Sequence, residues 1–216
     1  MTSRDLFDTP ADVLREEIAP GAMLLRGFFR DRTETLLAAI ARVTALAPFR
    51  HMTTPGGYRM SAAMTNCGDA GWITDRMGYR YGATDPESGQ PWPAMPPVFL
   101  ALAAEAAMAA GYPGFVPDAT LINRYEPGAR LSLHQDRNER DFAAPIVSVS
   151  LGLPATFLFG GETRTDRQQR FRLQHGDVVV WGGPARLAFH GVAPLKDGEH
   201  PLLGRTRINL TLRKAL

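Results

Sequence analysis

Apolar residues recur at helical spacing in two segments of the chain. The first covers residues 33–47, and its apolar positions would form one face of a helix: Leu36, Leu37, Ile40, Val43 and Leu46. The second starts at Pro96 and Pro97 and continues to Ala110, with Gly111 as its C-terminal stop. The pattern predicts two helices, of which the first packs on a sheet.

From Asp118 onward, short apolar or alternating runs are separated by turn residues, a pattern typical of β-strands. Eight strands are predicted in this part of the chain, at residues 119–125, 130–136, 146–151, 156–159, 170–173, 177–181, 186–189 and 205–213. A further short strand and turn are predicted at residues 21–28. Closely spaced short strands favour a double-sheet jelly roll or barrel, so the predicted fold class is mainly β with flanking helices (α+β).

Residues 50–97 follow neither pattern and contain many glycines, prolines and aromatic residues. A long irregular segment in a compact domain is usually either disordered or a functional lid, and the aromatic content favours a lid. The alternative is a hairpin-rich subdomain whose aromatic side chains cap the core, and Trp92, between two prolines, is assigned to packing. We therefore expect one domain over residues 1–216, with an N-terminal strand and helix (1–49), a lid (50–97), a supporting helix (98–117) and a jelly-roll core (118–216).

Composition narrows the class of protein. With 24 Lys and Arg against 22 Asp and Glu, bulk charge alone does not indicate a polyanionic partner. The single cysteine, Cys67, excludes an internal disulfide and a thiolate metal cluster and fits a reducing compartment. The N-terminal residues show no apolar leader and no apolar run is long enough to span a bilayer, so we expect a cytoplasmic protein with no membrane partner.

Candidate chemistry begins with His134-Gln135-Asp136. Alternate side chains of a strand point to the same face, so His134 and Asp136 converge if this segment is extended. With His190 as a third ligand, the set is a 2-His-1-carboxylate facial triad, which holds Fe(II) and leaves positions open for substrate and oxygen. The competing interpretation is a surface histidine and aspartate that flank a loop.

The sequence contains a second His-x-Asp, His175-Gly176-Asp177. It lies immediately before the apolar run of residues 178–181, so the Gly-Asp pair is interpreted as a turn that leads into a buried strand. The first motif, in contrast, is followed by the polar residues 137–141, as expected at the open mouth of a site. We therefore assign metal binding to the first motif.

Two predicted strands carry polar side chains on one face. In the last strand, four polar residues alternate with apolar ones: Arg207, Asn209, Thr211 and Arg213. Inward-facing arginines are costly unless they are paired, so this face calls for an anionic partner such as a dicarboxylate, unless the strand is an edge strand with a solvated polar face. In an earlier strand, three residues share one face: Leu121, Asn123 and Tyr125. Their amide and phenol can donate hydrogen bonds to a carboxylate or, alternatively, satisfy loop backbone.

Several motifs occur together in chain order: Asn123-Arg124-Tyr125, His134-Gln135-Asp136, residues 145–152, residues 175–183, His190-Gly191 and residues 207–213, with residues 53–58 and 63–68 in the lid. Together they resemble the AlkB family of Fe(II)/2-oxoglutarate dioxygenases. The resemblance covers nearly the whole chain after about residue 49. The ordered set is far more specific than any one of its motifs.

The resemblance implies a double-stranded β-helix (jelly roll) with a nucleotide-recognition lid, and an enzyme that uses O2 and 2-oxoglutarate as co-substrates. His134, Asp136 and His190 would bind Fe(II). Arg207 would bind the distal carboxylate of 2-oxoglutarate and Arg213 the carboxylate beside the keto group. The remaining co-substrate contacts would come from Leu121, Asn123, Tyr125 and Asn209.

For the substrate, the resemblance implies an N-alkylated base such as 1-methyladenine or 3-methylcytosine, in DNA with single strands preferred, or in RNA. Oxidation of the methyl group would release formaldehyde, succinate and CO2. The base leaves the stack, with Trp72 on one of its faces and His134 on the other. The other implied substrate residues are Thr54, Met60, Met64, Tyr79, Arg137, Asn138 and Arg164. Four arginines are either phosphate contacts or solvated surface residues: Arg50, Arg59, Arg76 and Arg137. We expect a monomer with no protein partner.

Asn138 departs from the family pattern, in which an acidic residue commonly stands two positions after the iron-binding aspartate. An amide loses the attraction for a cationic base but keeps its hydrogen-bonding capacity, so a weaker preference for cationic lesions is predicted. Two other functions compete with base repair. One is a 2-oxoglutarate-dependent hydroxylase of a protein or small molecule, with the same iron site. The other is a jelly-roll binding module, which needs neither the triad nor the inward arginines.

Overall fold

The computed structural model describes residues 14–216. The prediction that the chain begins without an apolar leader concerns residues outside this range. Helix α1 is Thr33–Leu46 and helix α2 is Pro97–Ala109. The strands are β1 Arg15–Ala19, β2 Ala22–Leu25, β3 Ala63–Gly68, β4 Gly71–Asp75, β5 Gly78–Gly82, β6 Ala119–Tyr125, β7 Leu131–His134, β8 Ile146–Gly152, β9 Ala155–Phe159, β10 Gln169–Leu173, β11 Val178–Trp181, β12 His190–Val192 and β13 Arg207–Arg213. Within this range, no helix is long and apolar enough to cross a membrane.

The strands form two antiparallel sheets and a separate hairpin. The large sheet has the order β1-β2-β11-β8-β13-β6-β3, the small sheet has the order β10-β9-β12-β7, and β4 pairs with β5. Phe157 and Phe159 of the small sheet pack in one cluster with Trp181 of the large sheet, so the two sheets face each other across a shared core. The predicted class, mainly β in a double-sheet jelly roll with two helices, is confirmed.

Strict alternation of side chains divides the large sheet into two faces. In β11, Val178 and Val180 join the core under the helices, whereas Val179 and Trp181 join the core between the sheets. The same alternation in β13 places its isoleucine and leucines under the helices. The arginines of β13 therefore lie on the inner face. Since β13 is paired on both sides and all seven of its residues are buried, the edge-strand alternative is wrong.

The predicted lid contains more regular structure than its sequence indicates. Strand β3 pairs with β6 at the edge of the large sheet, and Met64 lies opposite Asn123 with 1% of its surface exposed. Because β3 is an edge strand and pairs with a strand on one side only, its sequence need not show the regular apolar pattern of a central strand. Trp92 is buried and donates its indole N–H to the Gly82 carbonyl at 2.9 Å, so its assignment to packing is confirmed.

Three larger differences separate the predicted strands from the observed ones, beyond shifts of one or two residues at their ends. Residues 186–189 are not a strand: Pro184 opens a 3-10 helix, Gly183–Ala185, whose turn continues through Arg186, and the strand begins only at His190. The strand predicted at 130–136 ends at His134, because the short partner β12 reaches only that far, and Asp136 follows in a loop. The pattern also misses β1, whose five residues are mostly charged.

Candidate active site

Three predicted ligands meet where the small sheet faces the large one. His134 ends β7 and His190 begins β12, and these residues lie opposite each other in the antiparallel pair. Asp136 lies between them, with 3.7 Å from its Oδ1 to His134 Nε2 and 3.8 Å from its Oδ2 to His190 Nε2. Gly191 permits the close approach of the two strands, since a Cβ there would lie 2.7 Å from the Leu131 carbonyl oxygen. The ligand atoms of the three residues all lie within 4.8 Å of one another.

The imidazole rings are oriented for metal binding by backbone carbonyls. Nδ1 of His134 lies 2.9 Å from the Ser132 carbonyl, and Nδ1 of His190 lies 2.9 Å from the Ala188 carbonyl. A carbonyl only accepts hydrogen bonds, so each Nδ1 carries the proton and each Nε2 keeps a lone pair for a metal. Burial, together with the neighbouring His134, lowers the pKa of His190 to about 3, so this ligand is neutral near physiological pH.

Asp136 is held by an arginine as well as by the geometry of its loop. Arg213 donates to Asp136 Oδ2 from Nη2 at 2.7 Å and from Nε at 2.8 Å. Burial disfavours the carboxylate, but Arg213 and the two histidines outweigh it and keep the pKa of Asp136 well below its usual range. The resemblance implied that Arg213 binds 2-oxoglutarate. In the structure its nearest anion is the Asp136 carboxylate.

Arg207 is a buried cation without an anionic partner among residues 14–216. Its Nη2 donates to Ser150 Oγ at 3.0 Å, whereas Nε and Nη1 are buried without a hydrogen-bond partner. Burial lowers the pKa of this guanidinium. A buried, unpaired charge is costly, so the site is suited to an anion that enters from outside the chain. The guanidinium lines the same cavity as His134 and His190, which fits the distal carboxylate of 2-oxoglutarate.

The other predicted co-substrate residues separate into two groups. Tyr125 and Asn209 line the cavity together with Arg213, while Leu121 and Asn123 do not. Leu121 is instead packed in the core beneath the lid. Both amide hydrogens of Asn209 are engaged, by Ser148 Oγ at 2.8 Å and the Val149 carbonyl at 2.9 Å. Asn209 therefore braces the cavity wall and has no free N–H for the co-substrate in this arrangement.

The hairpin β4–β5 carries the predicted aromatic platform. Trp72 stacks on Tyr79, with ring centroids 5.6 Å apart and an interplanar angle of 21°. Asn66 fixes the Trp72 backbone through two hydrogen bonds of 3.0 Å. The resemblance implied that Trp72 covers a base opposite His134. In the structure, Tyr79 covers one face of the indole.

The remaining substrate candidates differ in their surroundings. Met64 belongs to the core, since it is paired into the large sheet, and Met60 packs against the same cluster from a half-buried position. Thr54 is held in a tight loop, where its Oγ1 accepts a hydrogen bond from the Tyr58 N–H. Exposed Arg164 donates to the Leu133 carbonyl at 2.7 Å, directly beside His134.

The arginines that were candidates for phosphate contacts also differ. Arg50 is mostly buried and paired with Asp85 at 2.7 Å, which makes it a structural residue. Arg59, Arg76 and Arg137 are exposed. Of the four candidates, therefore, these three are accessible to a polyanion.

Sequence patterns alone miss several residues around the triad. Trp181 and Ser148 line the cavity, and the signal for them was their position on inward faces of apolar strands. Buried Glu139 and Arg186 and half-buried Tyr81 form a polar group behind Asp136. Glu139 lies in a polar run and Arg186 in a segment predicted as strand, so neither has a local signal.

The fold and this site define an iron- and 2-oxoglutarate-dependent oxygenase, and comparison with known proteins gives the same class. The 2OG-Fe(II) oxygenase superfamily model matches residues 21–213. The alpha-ketoglutarate-dependent dioxygenase AlkB of Escherichia coli (strain K12) is 58% identical over 211 residues, 98% of this chain and 97% of that protein. The chain therefore belongs to the AlkB family within this superfamily.

Two further comparisons extend this result. The DNA N(6)-methyladenine demethylase ALKBH1C of Arabidopsis thaliana is 30% identical over 226 residues, 91% of this chain and 49% of that protein. The solved structure of OsALKBH1 matches with a TM-score of 0.81 and 29% identity, covering 93% of this chain and 99% of that one. The protein is an Fe(II)/2-oxoglutarate-dependent dioxygenase close to bacterial AlkB, and His134, Asp136 and His190 are its iron-binding triad.

Proposed function

We propose that this dioxygenase repairs N-alkylated bases in DNA, and in RNA, by oxidative dealkylation. The observation that carries the proposal is the contact between the hairpin and the segment directly after Asp136. Tyr81 Oη donates to Glu139 Oε1 at 2.6 Å, and Asn138 Nδ2 lies 3.5 Å from the Tyr79 carbonyl. The aromatic pair Trp72 and Tyr79 is thus held next to the triad, where a base removed from its stack needs an aromatic surface.

The chain's own residues would bind and orient the reactants. Bound Fe(II) and 2-oxoglutarate supply the oxidation of the N-methyl group, which yields formaldehyde, succinate and CO2. His134, Asp136 and His190 hold the metal, and Arg207 fixes the dicarboxylate in the cavity. The hairpin places the alkylated base and excludes water from it.

The substrate form and the state of the protein are part of the proposal. The AlkB and DNA demethylase relatives support a nucleic-acid substrate. Single strands are favoured, because a base that is already unpaired costs less to extrude. We further propose a monomer without a protein partner. We place it in the cytoplasm, a reducing compartment that suits the free thiol of Cys67. Light scattering after size-exclusion chromatography would test the monomer.

The experiment that tests the function follows a 1-methyladenine oligonucleotide incubated with Fe(II) and 2-oxoglutarate. Restored adenine and formaldehyde are expected from the wild type and neither from His134→Ala. Trp72→Ala should lose repair while it still produces succinate in the absence of nucleic acid, since it removes only the platform. If the oligonucleotide is not repaired and a protein or small molecule instead stimulates 2-oxoglutarate consumption, the enzyme is a hydroxylase of that other substrate.

Asn138 is proposed to set the lesion preference. It is exposed beside the triad and contacts the hairpin only weakly, so its amide is available to a bound base. Because an amide does not attract a cation, Asn138→Asp should raise the rate on cationic 3-methylcytosine relative to neutral ethenoadenine. Equal rate ratios for the two proteins would contradict this assignment.

A further inference from the structure

A network of four buried charged side chains and one half-buried phenol connects the hairpin to the iron-binding carboxylate. Its anions are Asp136 and Glu139, its cations are Arg186 and Arg213, and the phenol is Tyr81. The side chains of Glu139, Arg186 and Arg213 are 2%, 3% and 6% exposed, so water does not screen their interactions. The two positive and two negative charges balance, and every charged member contacts an opposite charge.

Glu139 is the centre of this network. Its Oε1 accepts a hydrogen bond of 2.6 Å from Tyr81 on the hairpin and lies 3.5 Å from Arg213 Nε. Its Oε2 accepts a hydrogen bond of 3.2 Å from Arg186 Nη2. Arg186 in turn donates from Nη1 to the Asp136 carbonyl at 2.8 Å. Glu139 is therefore linked to the side chain of Asp136 through Arg213 and to its backbone through Arg186.

Arg213 is shared between two carboxylates that play different roles. In the structure it binds Asp136 more closely, at 2.7 Å, than it binds Glu139, at 3.5 Å. A divalent metal bound to Asp136 would compete with Arg213 for the Asp136 carboxylate and would weaken the ion pair between these two residues. Glu139 would then be the anion that keeps the guanidinium buried and paired.

We propose that Glu139 is a positioning residue that shares Arg213 with Asp136 and, through Tyr81, couples the order of the hairpin to metal and 2-oxoglutarate binding. The inference rests on the proposed function only in treating the hairpin as the element that receives substrate. Metal binding to Asp136 shifts Arg213 toward Glu139, and the hydrogen bond from Tyr81 transmits that change to residues 71–82. Substrate then meets an ordered hairpin only when the oxidising site is ready.

The first experiment measures metal affinity without turnover, by titrating metal-free protein with Co(II). Glu139→Gln removes the anion that competes for Arg213, so Arg213 pairs with Asp136 only. The variant should therefore bind Co(II) roughly 10-fold more weakly or worse, as is typical when a partner of a metal ligand is lost. Tyr81→Phe keeps both charges, so it should weaken Co(II) binding far less than Glu139→Gln does. Wild-type Co(II) affinity in Glu139→Gln would overturn the sharing of Arg213.

The second experiment measures amide hydrogen exchange of residues 71–82 before and after Mn(II) and 2-oxoglutarate are added, with no nucleic acid present. Exchange should slow on loading in the wild type and stay unchanged in Tyr81→Phe. Tyr112→Phe is the matched control, since it removes a similar hydroxyl hydrogen bond, 2.8 Å to the Gly21 carbonyl, far from the hairpin in sequence. It should keep the wild-type response. A full response in Tyr81→Phe would overturn the coupling, whichever substrate the enzyme repairs.

Discussion

Two regions of this molecule carry a His-x-Asp motif, and only one of them is a metal site. In the first, His134 and Asp136 project toward His190 of a neighbouring strand, and their metal-binding atoms remain available. In the second, His175 and Asp177 belong to no such group among residues 14–216. The spacing is the same, so the difference lies in what surrounds each motif.

In the second motif, the polar side-chain atoms form hydrogen bonds that stabilise the fold. Asp177 accepts hydrogen bonds of 2.8 Å from the Gly27 and Gln174 N–H groups and one of 3.1 Å from Arg26. His175 Nδ1 accepts from the Gly152 N–H at 3.0 Å, while its Nε2 contacts Thr33 Oγ1 at 2.8 Å. Between them, Gly176 has φ of 86°, as a tight turn requires. A metal site needs a third ligand and lone pairs that are free of other hydrogen bonds, and this turn provides neither.

The largest difference between the regions should appear in turnover. His134→Ala and Asp136→Ala each remove an iron ligand and should reduce dealkylation by more than about 100-fold, since even partners of ligands are worth about 10- to 100-fold. His175→Ala and Asp177→Ala should keep the wild-type turnover per folded molecule. Formaldehyde release, normalised to the folded fraction, measures both. Loss of turnover in the second pair would show that the two motifs are not separate in function.

Replacing an arginine near the first motif should affect 2-oxoglutarate binding, and replacing one near the second should not. Arg207→Met should raise the KM for 2-oxoglutarate roughly 10- to 100-fold, because hydrogen bonds to a charged group are worth about 1.5–3 kcal/mol. Arg26→Met, which removes the partner of Asp177, should leave that KM unchanged. Initial rates of succinate formation at varied 2-oxoglutarate concentration test the pair. An unchanged KM in Arg207→Met would remove Arg207 from the co-substrate site.

Stability should respond to the second motif. Asp177→Asn replaces an acceptor by a donor that faces two backbone N–H groups, which should lower the free energy of unfolding by about 1–3 kcal/mol. Urea denaturation of the metal-free protein gives the value. Asp197→Asn is a matched control with little expected effect, since Asp197 is exposed and its contacts are an ion pair with Arg205 and one hydrogen bond from the Gly198 N–H. Equal midpoints for the two variants would argue against the turn as a stabilising element.

The smallest effect concerns pH. Burial, followed by the nearby His200 and Arg30, lowers the pKa of His175. Since the unfolded chain takes up the proton first, this residue's stabilising contribution is present above about pH 6.5 and is lost as the pH falls below that value. The difference in unfolding free energy between wild type and His175→Gln should therefore shrink from pH 7 to pH 5. Because the rest of the molecule is the same in both proteins, its pH dependence cancels, and a constant difference would contradict the lowered pKa.

Local pattern predicts much of this architecture from the sequence. Both helices, most strands and the inward face of β13 follow from apolar periodicity, because a side chain's direction in a strand or helix is fixed by its position. The triad could be predicted since the resemblance supplied the third ligand. The strand at residues 186–189 could not be excluded, because a proline-initiated turn and a short strand have similar local composition.

The sequence by itself determined the fold class, the family and the identity of the iron ligands, since these depend on periodicity and on motifs in order. Only the tertiary structure decided which polar atoms remain available. Among residues 14–216 it leaves Arg207 without an anionic partner, pairs Asn209 with Ser148, and pairs Arg213 with Asp136. It also brought Glu139 and Tyr81 together across 58 residues of sequence, because hydrogen-bond partners are set by distance in space and leave no signal at their separate positions.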